Sequence, residues 1–390
     1  MQNFFNSFEL PYSSEFDIYY KNGNAEFNKH KNEILNFEHH GIFTYMNEKI
    51  REIRDALKMD EKNVLYCYFL ASVLDSGDDM LIHRICRPKA SEKSELFDTL
   101  PLFSLLSKVP EMKANLKKLG IPDTVIADTL NMFENQIQDF IDLNGHTGIS
   151  SYVNWMMKFI NCEIIRVGRF NLELYTYDLP YHILKSGSEI RIMPDGITFH
   201  KSGEILGSAG CTDSEGSFAA DFFENDEFYE GRLIENGVCK NETVRLLKTE
   251  WSPLLNTGDK IINVHIPSGS SLNFEDNSKD FLYGAELFGK AFSPCNVFYC
   301  ESWLLNPHLK EIIGKETNIT RFGDRFIKFP FESSGNDVFE YLYFLPADTN
   351  PYELPEKSSL QRAVKNHLLG GNHVLSYHGI FTADMLSDNG

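Results

Sequence analysis

The sequence predicts an α+β fold, with a helical N-terminal domain over residues 1–165 and a mixed α/β domain over residues 166–390. The second domain is expected to have a central, partly antiparallel sheet. Three observations predict this. Apolar residues recur at helical spacing through the first part of the chain, the period shortens towards two beyond Arg166, and the last third alternates strand-like with helix-like runs. A chain of 390 residues also has the length for two or three domains of about 100–200 residues each.

Residues 123–143 carry Ile126, Leu130, Phe133, Ile137 and Phe140 at alternating steps of four and three, which puts them on one helix face. Pro122-Asp123 supplies a start and Asn144-Gly145 a stop. Residues 152–160 form a further short helix, with Trp155, Met156, Phe159 and Ile160 on its apolar side. Residues 169–177 are rich in β-formers. Residues 190–200 hold two alternating runs separated by Pro194-Asp195-Gly196, a hairpin signal, and Lys201-Ser202-Gly203 turns the chain again. An antiparallel meander is expected there. Residues 212–231 carry seven acids, no Lys or Arg, and five aromatics. They read as a solvated, partly docked insertion, or as a negative rim that attracts a cationic substrate. Residues 260–266 form an apolar strand that ends at Pro267, followed by a Ser/Gly loop and a helix to about Phe292. A second strand over 296–300, a short helix over 307–313, extended chain over 319–331, a helix over 360–369 and a strand over 376–382 complete the reading. Strand–helix–strand order makes the strands near Lys260 and Asn296 a parallel pair.

Composition excludes several functions. Lys and Arg number 37 against 56 Asp and Glu, a net charge of −19, which argues against nucleic acid and anionic membranes as partners. The seven cysteines are scattered without a CxxC pair and read as reduced, buried thiols. No signal peptide is evident, and the longest nearly apolar run, residues 65–74, falls short of the about 20 residues a membrane span needs. A soluble, cytoplasmic protein is expected. His367, His373 and His378 lie five or six apart with no Cys or carboxylate in register, so no metal site is expected. Nucleophile-elbow, zincin, dinucleotide and Walker signatures are missing.

The chemistry concentrates in Ile261-Ile262-Asn263-Val264-His265-Ile266-Pro267 and the loop Ser268, Gly269, Ser270 and Ser271. A strand that runs through a small-residue loop into a helix lets backbone amides approach an anion, with the helix N-terminus adding favourable potential. An ordinary serine-capped turn has the same sequence. His265 stands at the carboxyl end of this strand and Glu301 just past the end of the next. Ligands of open α/β sheets favour those ends, and either residue has the chemistry of a general base.

Val167-Gly168-Arg169-Phe170, Val264-His265-Ile266-Pro267, Ser302-Trp303-Leu304-Leu305 with Pro307, and Ser359-Leu360-Gln361-Arg362-Ala363-Val364 together resemble a known family. It comprises bacterial acyltransferase-domain proteins with a helical N-terminal domain and a GNAT-like C-terminal domain. The resemblance implies transfer of an acyl group, acetyl first among the candidates, from coenzyme A to an amine. It implies a thioester lying where the two parallel strands splay, pyrophosphate on the amides of Ser268, Gly269, Ser270 and Ser271, and His265 or Glu301 taking the proton. The acidic surface suits a cationic amine acceptor. A second reading keeps the fold as a catalytically silent module that binds a nucleotide-like ligand or a protein. Two departures stand out. Pro-Ser-Gly-Ser-Ser replaces the usual Arg/Gln-x-x-Gly-x-Gly/Ala pyrophosphate motif, and residues 307–313 contain no tyrosine to act as general acid.

Overall fold

A helix that is apolar on every side must be buried, and Glu61–Leu74 is such a helix, with Val64, Tyr66, Cys67, Phe69, Leu70, Val73 and Leu74 all inside. It is the central helix of the first of two units, Met1–Arg166 and Val167–Gly390, in a computed structural model that describes residues 1–92, 94–267, 272–292 and 295–387. Asp17–His30 crosses it closely enough that a Cβ at Gly23 would meet the Phe69 backbone at 2.7 Å. Glu95–Leu106 packs on it too, with Ser104 Oγ donating to the Cys67 carbonyl at 2.8 Å. The stripe expected over 123–143 is buried, but the helix is interrupted at Asn131, giving Asp123–Leu130 and Met132–Asn144. Gly145, at φ +80°, ends the second piece.

The second unit carries most of the strands. In chain order they are β1 (Ile164–Val167), β2 (Phe170–Thr176), β3 (Tyr181–Ser186), β4 (Glu189–Pro194), β5 (Ile197–Phe199), β6 (Phe218–Ala220) and β7 (Phe223–Glu224). There follow β8 (Phe228–Glu235), β9 (Val238–Leu247), β10 (Ser252–Leu255), β11 (Lys260–His265), β12 (Val297–Ser302), β13 (Ile327–Pro330) and β14 (Tyr377–Thr382). The main sheet has the order β1-β2-β11-β12-β14-β13, with β11 and β12 parallel and β2, β13 and β14 antiparallel to their neighbours. This is the mixed, partly antiparallel sheet expected from the alternation of strand and helix.

One face of the sheet packs on the long helix Phe274–Ala291. Phe281 stacks on Phe170 at 4.5 Å and meets Phe298 and Phe381 edge-on at 5.1 and 5.0 Å. The opposite face, through Ile261, Tyr299, Phe329 and Ile380, joins Ile183, Ile192 and Leu255 of the smaller β10-β3-β4 sheet in one core. Each strand thus presents alternate residues to two different layers.

Two local expectations are corrected, and a third is narrowed. Pro194-Asp195-Gly196 does not close a hairpin. β4 pairs with β3 around Gly187, whereas β5 pairs with β6, because Asp195 is tied to Pro180 and Phe222 and sends the chain into a different sheet. Residues 319–331 are not extended throughout. Thr317 and Thr320 form a capping box that starts the helix Asn318–Gly323, and extended chain begins at β13. In the acidic segment, Glu224 and Glu230 are ion-paired with Lys248 and Arg245, while Asp213 meets Lys201 at 3.4 Å. Phe222 and Tyr229 dock against Met193 and Trp251, which fits a docked insertion better than a bare negative rim. All seven cysteines are free and buried. Among the described residues, no helix is long and apolar enough to cross a membrane.

Candidate active site

β11 and β12 pair through Ile262↔Phe298 and Asn263↔Tyr299. Beyond those residues each strand keeps only its outer neighbour. β11 follows β2 to His265↔Asn171, and β12 follows β14 to Ser302↔Tyr377. The two central strands therefore part at their carboxyl ends, the position where open α/β sheets hold ligands. Side chains alternate along a strand, so the register puts Asn263, His265, Tyr299 and Glu301 on one face. Glu173, opposite Asn263, and His378, opposite Glu301, share it.

Two polar clusters stand on this face. In the first, Glu173 is almost fully buried and accepts hydrogen bonds from His265 Nε2 at 2.8 Å and Asn263 Nδ2 at 3.0 Å. With Nε2–H directed at a carboxylate, the basic lone pair of His265 lies on Nδ1. The His265 side chain remains 29% exposed, so a substrate can reach it.

In the second cluster, the Tyr299 hydroxyl lies 2.7 Å from His378 Nδ1 and 3.4 Å from Glu301 Oε2. His378 is buried among the rings of Tyr181, Phe329 and Phe331. Burial pushes its imidazole down to about 3, so it is neutral at physiological pH. Burial also raises the Tyr299 phenol, helped by the charge of Glu301. The Glu301 carboxyl is raised as well, first by desolvation and then by the negative charge of Asp337, with the Tyr299 hydrogen bond opposing them. Its side chain nonetheless keeps 43% of its surface exposed at the rim of the gap.

Residues 268–271, the expected anion loop, lie outside the described residues. The structure around them is rich in donors. Arg169 donates from Nη2 to the carbonyl of Pro267 at 3.1 Å, and its backbone N–H donates to Asp280 at 3.1 Å. That turn requires Gly168, at φ +53°, where a Cβ would sit 2.1 Å from the Asp280 carboxylate. Arg325, buried, donates to Ser278 Oγ at 2.9 Å and is held down to about 10 by burial, which leaves it cationic at neutral pH. Asn277, in the opening turns of the long helix and 1% exposed, has a buried Nδ2 with no partner among the described residues. An orphaned buried donor on the helix whose Ser278 and Asp280 hold Arg325 and Arg169 fits an anionic ligand.

The structure puts His265 and Glu301, both legible from sequence, on the two lips of one opening. Sequence reasoning missed Glu173, Asn263 and Tyr299 as site residues and read His378 only as one of three spaced histidines. Parity alone gave no signal. Glu173 alternates with Phe170, Leu172 and Leu174 and so reads as the outer face of a half-buried strand, whereas β2 is buried on both faces there.

An α+β chain whose central parallel strands open at their carboxyl ends, with a helix following the first, has the architecture of the GNAT-like class. Residues 164–381 match the family model described as a GNAT-like C-terminal domain, and residues 46–162 match an N-acyltransferase N-terminal domain. The chain belongs to this family and is an N-acyltransferase. Similar solved structures include an acyltransferase in complex with decanoyl-CoA and teicoplanin, at 16% identity and TM-score 0.59, covering 86% of this chain and 84% of that one. Another is an acyltransferase mutant in complex with octanoyl-CoA, at 17% identity and TM-score 0.59, covering 96% and 89%. Among curated proteins, none matches this sequence.

Proposed function

We propose that this acyltransferase moves an acyl group from coenzyme A to an amine at the opening between β11 and β12. The observation that carries the reading is the Glu173–His265 pair, standing where those strands part. Glu173 fixes the Nε2–H tautomer of His265 and stabilises the imidazolium that forms. His265 Nδ1 then takes the proton of the attacking amine. Past Asn263 the register of β11 with β12 ends, and a backbone N–H on that edge would stabilise the oxyanion.

The donor's pyrophosphate would rest on the amides of Ser268, Gly269, Ser270 and Ser271 and on the start of the long helix. Arg169, Arg325 and Asn277 would supply further donors. The solved acyltransferases hold decanoyl- and octanoyl-CoA, which makes medium-chain donors candidates beside acetyl-CoA. For the acceptor, a cavity of about 550 Å³ is lined by Phe331, Glu332, Ser333, Ser334, Asp337 and Gly207. Phe331 touches His378 and the charge of Asp337 reaches Glu301, so the cavity adjoins the reacting face. Its two carboxylates favour a cationic amine. The free, buried thiols suit a reducing compartment, and we assign the protein to the cytoplasm.

The test is thiol release from acetyl-, octanoyl- and decanoyl-CoA across a panel of small amines, with product masses read in parallel. The reading predicts acceptor-dependent release and a product heavier by the acyl group. Absence of release with every pair, together with no heat of coenzyme A binding, would return the chain to the silent binding module.

A further inference from the structure

A thioester needs two proton movements to become an amide. The nitrogen must lose a proton, and the departing sulfur leaves as a thiolate that is better expelled when protonated. The first task has a residue in His265. The second has none in the segment Leu309–Ile313, which contains no tyrosine.

We propose that Glu301 is the acid that protonates the departing thiolate, and that Tyr299 and His378 are the positioning residues that hold its carboxyl over the opened strands. The proposal rests on the acyl-transfer reading above. Three observations carry it. Glu301 and His265 stand on the same face of the sheet but on opposite lips of the gap, so a reacting centre between the strands has one at each side. Glu301 is the member of its cluster that reaches solvent, whereas Tyr299 and His378 are 4% and 5% exposed and cannot meet a substrate themselves. The buried pair is also locked. The Tyr299 ring stacks on Tyr175 at 6.1 Å, and its hydroxyl is shared between His378 Nδ1 and Glu301 Oε2.

The groups facing the Glu301 carboxyl are Tyr299 on its own strand, His378 on β14 and Asp337 in the segment after β13. His378 is neutral and adds no charge. Desolvation and Asp337 favour the protonated carboxyl, and only the Tyr299 hydroxyl favours the carboxylate. In the step, the amine nitrogen forms the C–N bond and gives its proton to His265. The C–S bond breaks with its electron pair on sulfur, which takes the Glu301 proton. The imidazolium and carboxylate left behind exchange a proton with water, so each turnover yields one amide and one thiol.

The test is the pH profile of kcat in the full-length protein with saturating acyl-CoA and amine. Wild type is expected to show an alkaline limb from Glu301, whose carboxyl desolvation and Asp337 favour in the protonated form. Glu301→Gln should lose about 10²-fold in rate, with the alkaline limb gone. The neighbours should shift that limb in opposite directions. Tyr299→Phe removes the bond that favours the carboxylate and moves it to higher pH, while Asp337→Asn removes a repelling charge and moves it to lower pH. A simple packing role for Tyr299 would lower the rate without moving the limb. An active wild type whose alkaline limb stays put in Tyr299→Phe, Asp337→Asn and Glu301→Gln overturns this proposal alone. A wild type inactive with every donor and acceptor overturns it together with the reading it rests on.

Discussion

His378 illustrates how a residue's chemistry is set by what surrounds it. In the sequence His378 is one of three spaced histidines near the C-terminus. Rings from Tyr181, Phe329 and Phe331 bury it as a neutral imidazole. Its folded-state pKa of about 3 lies below the ordinary histidine value, so the unfolded chain binds more protons between the two. The stability this residue contributes is therefore full above about pH 6.5 and is lost as pH falls towards 3, at up to about 1.4 kcal/mol per pH unit. Glu204 and Glu301, whose carboxyls are raised, act in the opposite sense over the upper part of that range. The His378 contribution is isolated by comparing denaturant unfolding of wild type and His378→Asn from pH 7 to pH 4. The difference between them should shrink steadily as pH falls. A constant difference would mean that His378 is not held neutral.

At the level of elements, the long periodic segments and the parallel pair were readable because hydrophobic spacing alone defines them. β11, β12, the long helix and Ser359–Leu369 all lie where the sequence predicts. Pairing between strands was not readable in the same way. Pro194-Asp195-Gly196 has the composition of a hairpin turn, but partner choice depends on Asp195 bonding residues far away in sequence. The same limit hid half of the site. His265 and Glu301 stand beside strand ends and are visible in sequence. Glu173 became a partner of His265 only through the antiparallel register of β2 with β11, which places residues 92 apart within 2.8 Å. Register is a tertiary property, and no local motif encodes it.

For the whole molecule, the net charge of −19 sets opposite demands on the two proposed substrates. Polyanionic coenzyme A must be drawn past a repelling surface to the guanidinium groups of Arg169 and Arg325, while a cationic amine is attracted by that surface. Raising ionic strength screens both effects. KM for the acyl donor is expected to fall from low to moderate salt while KM for a cationic acceptor rises, in steady-state kinetics with the other substrate saturating. Parallel shifts in both would remove the field of the protein as the cause. The central claim, that the Glu173–His265 pair at the opened strands performs the transfer, is tested most directly by the acyl-transfer rate of His265→Ala beside wild type. The account predicts a loss of about 10²–10⁴-fold in kcat with coenzyme A affinity unchanged. A His265→Ala protein that transfers acyl groups at the wild-type rate would contradict it.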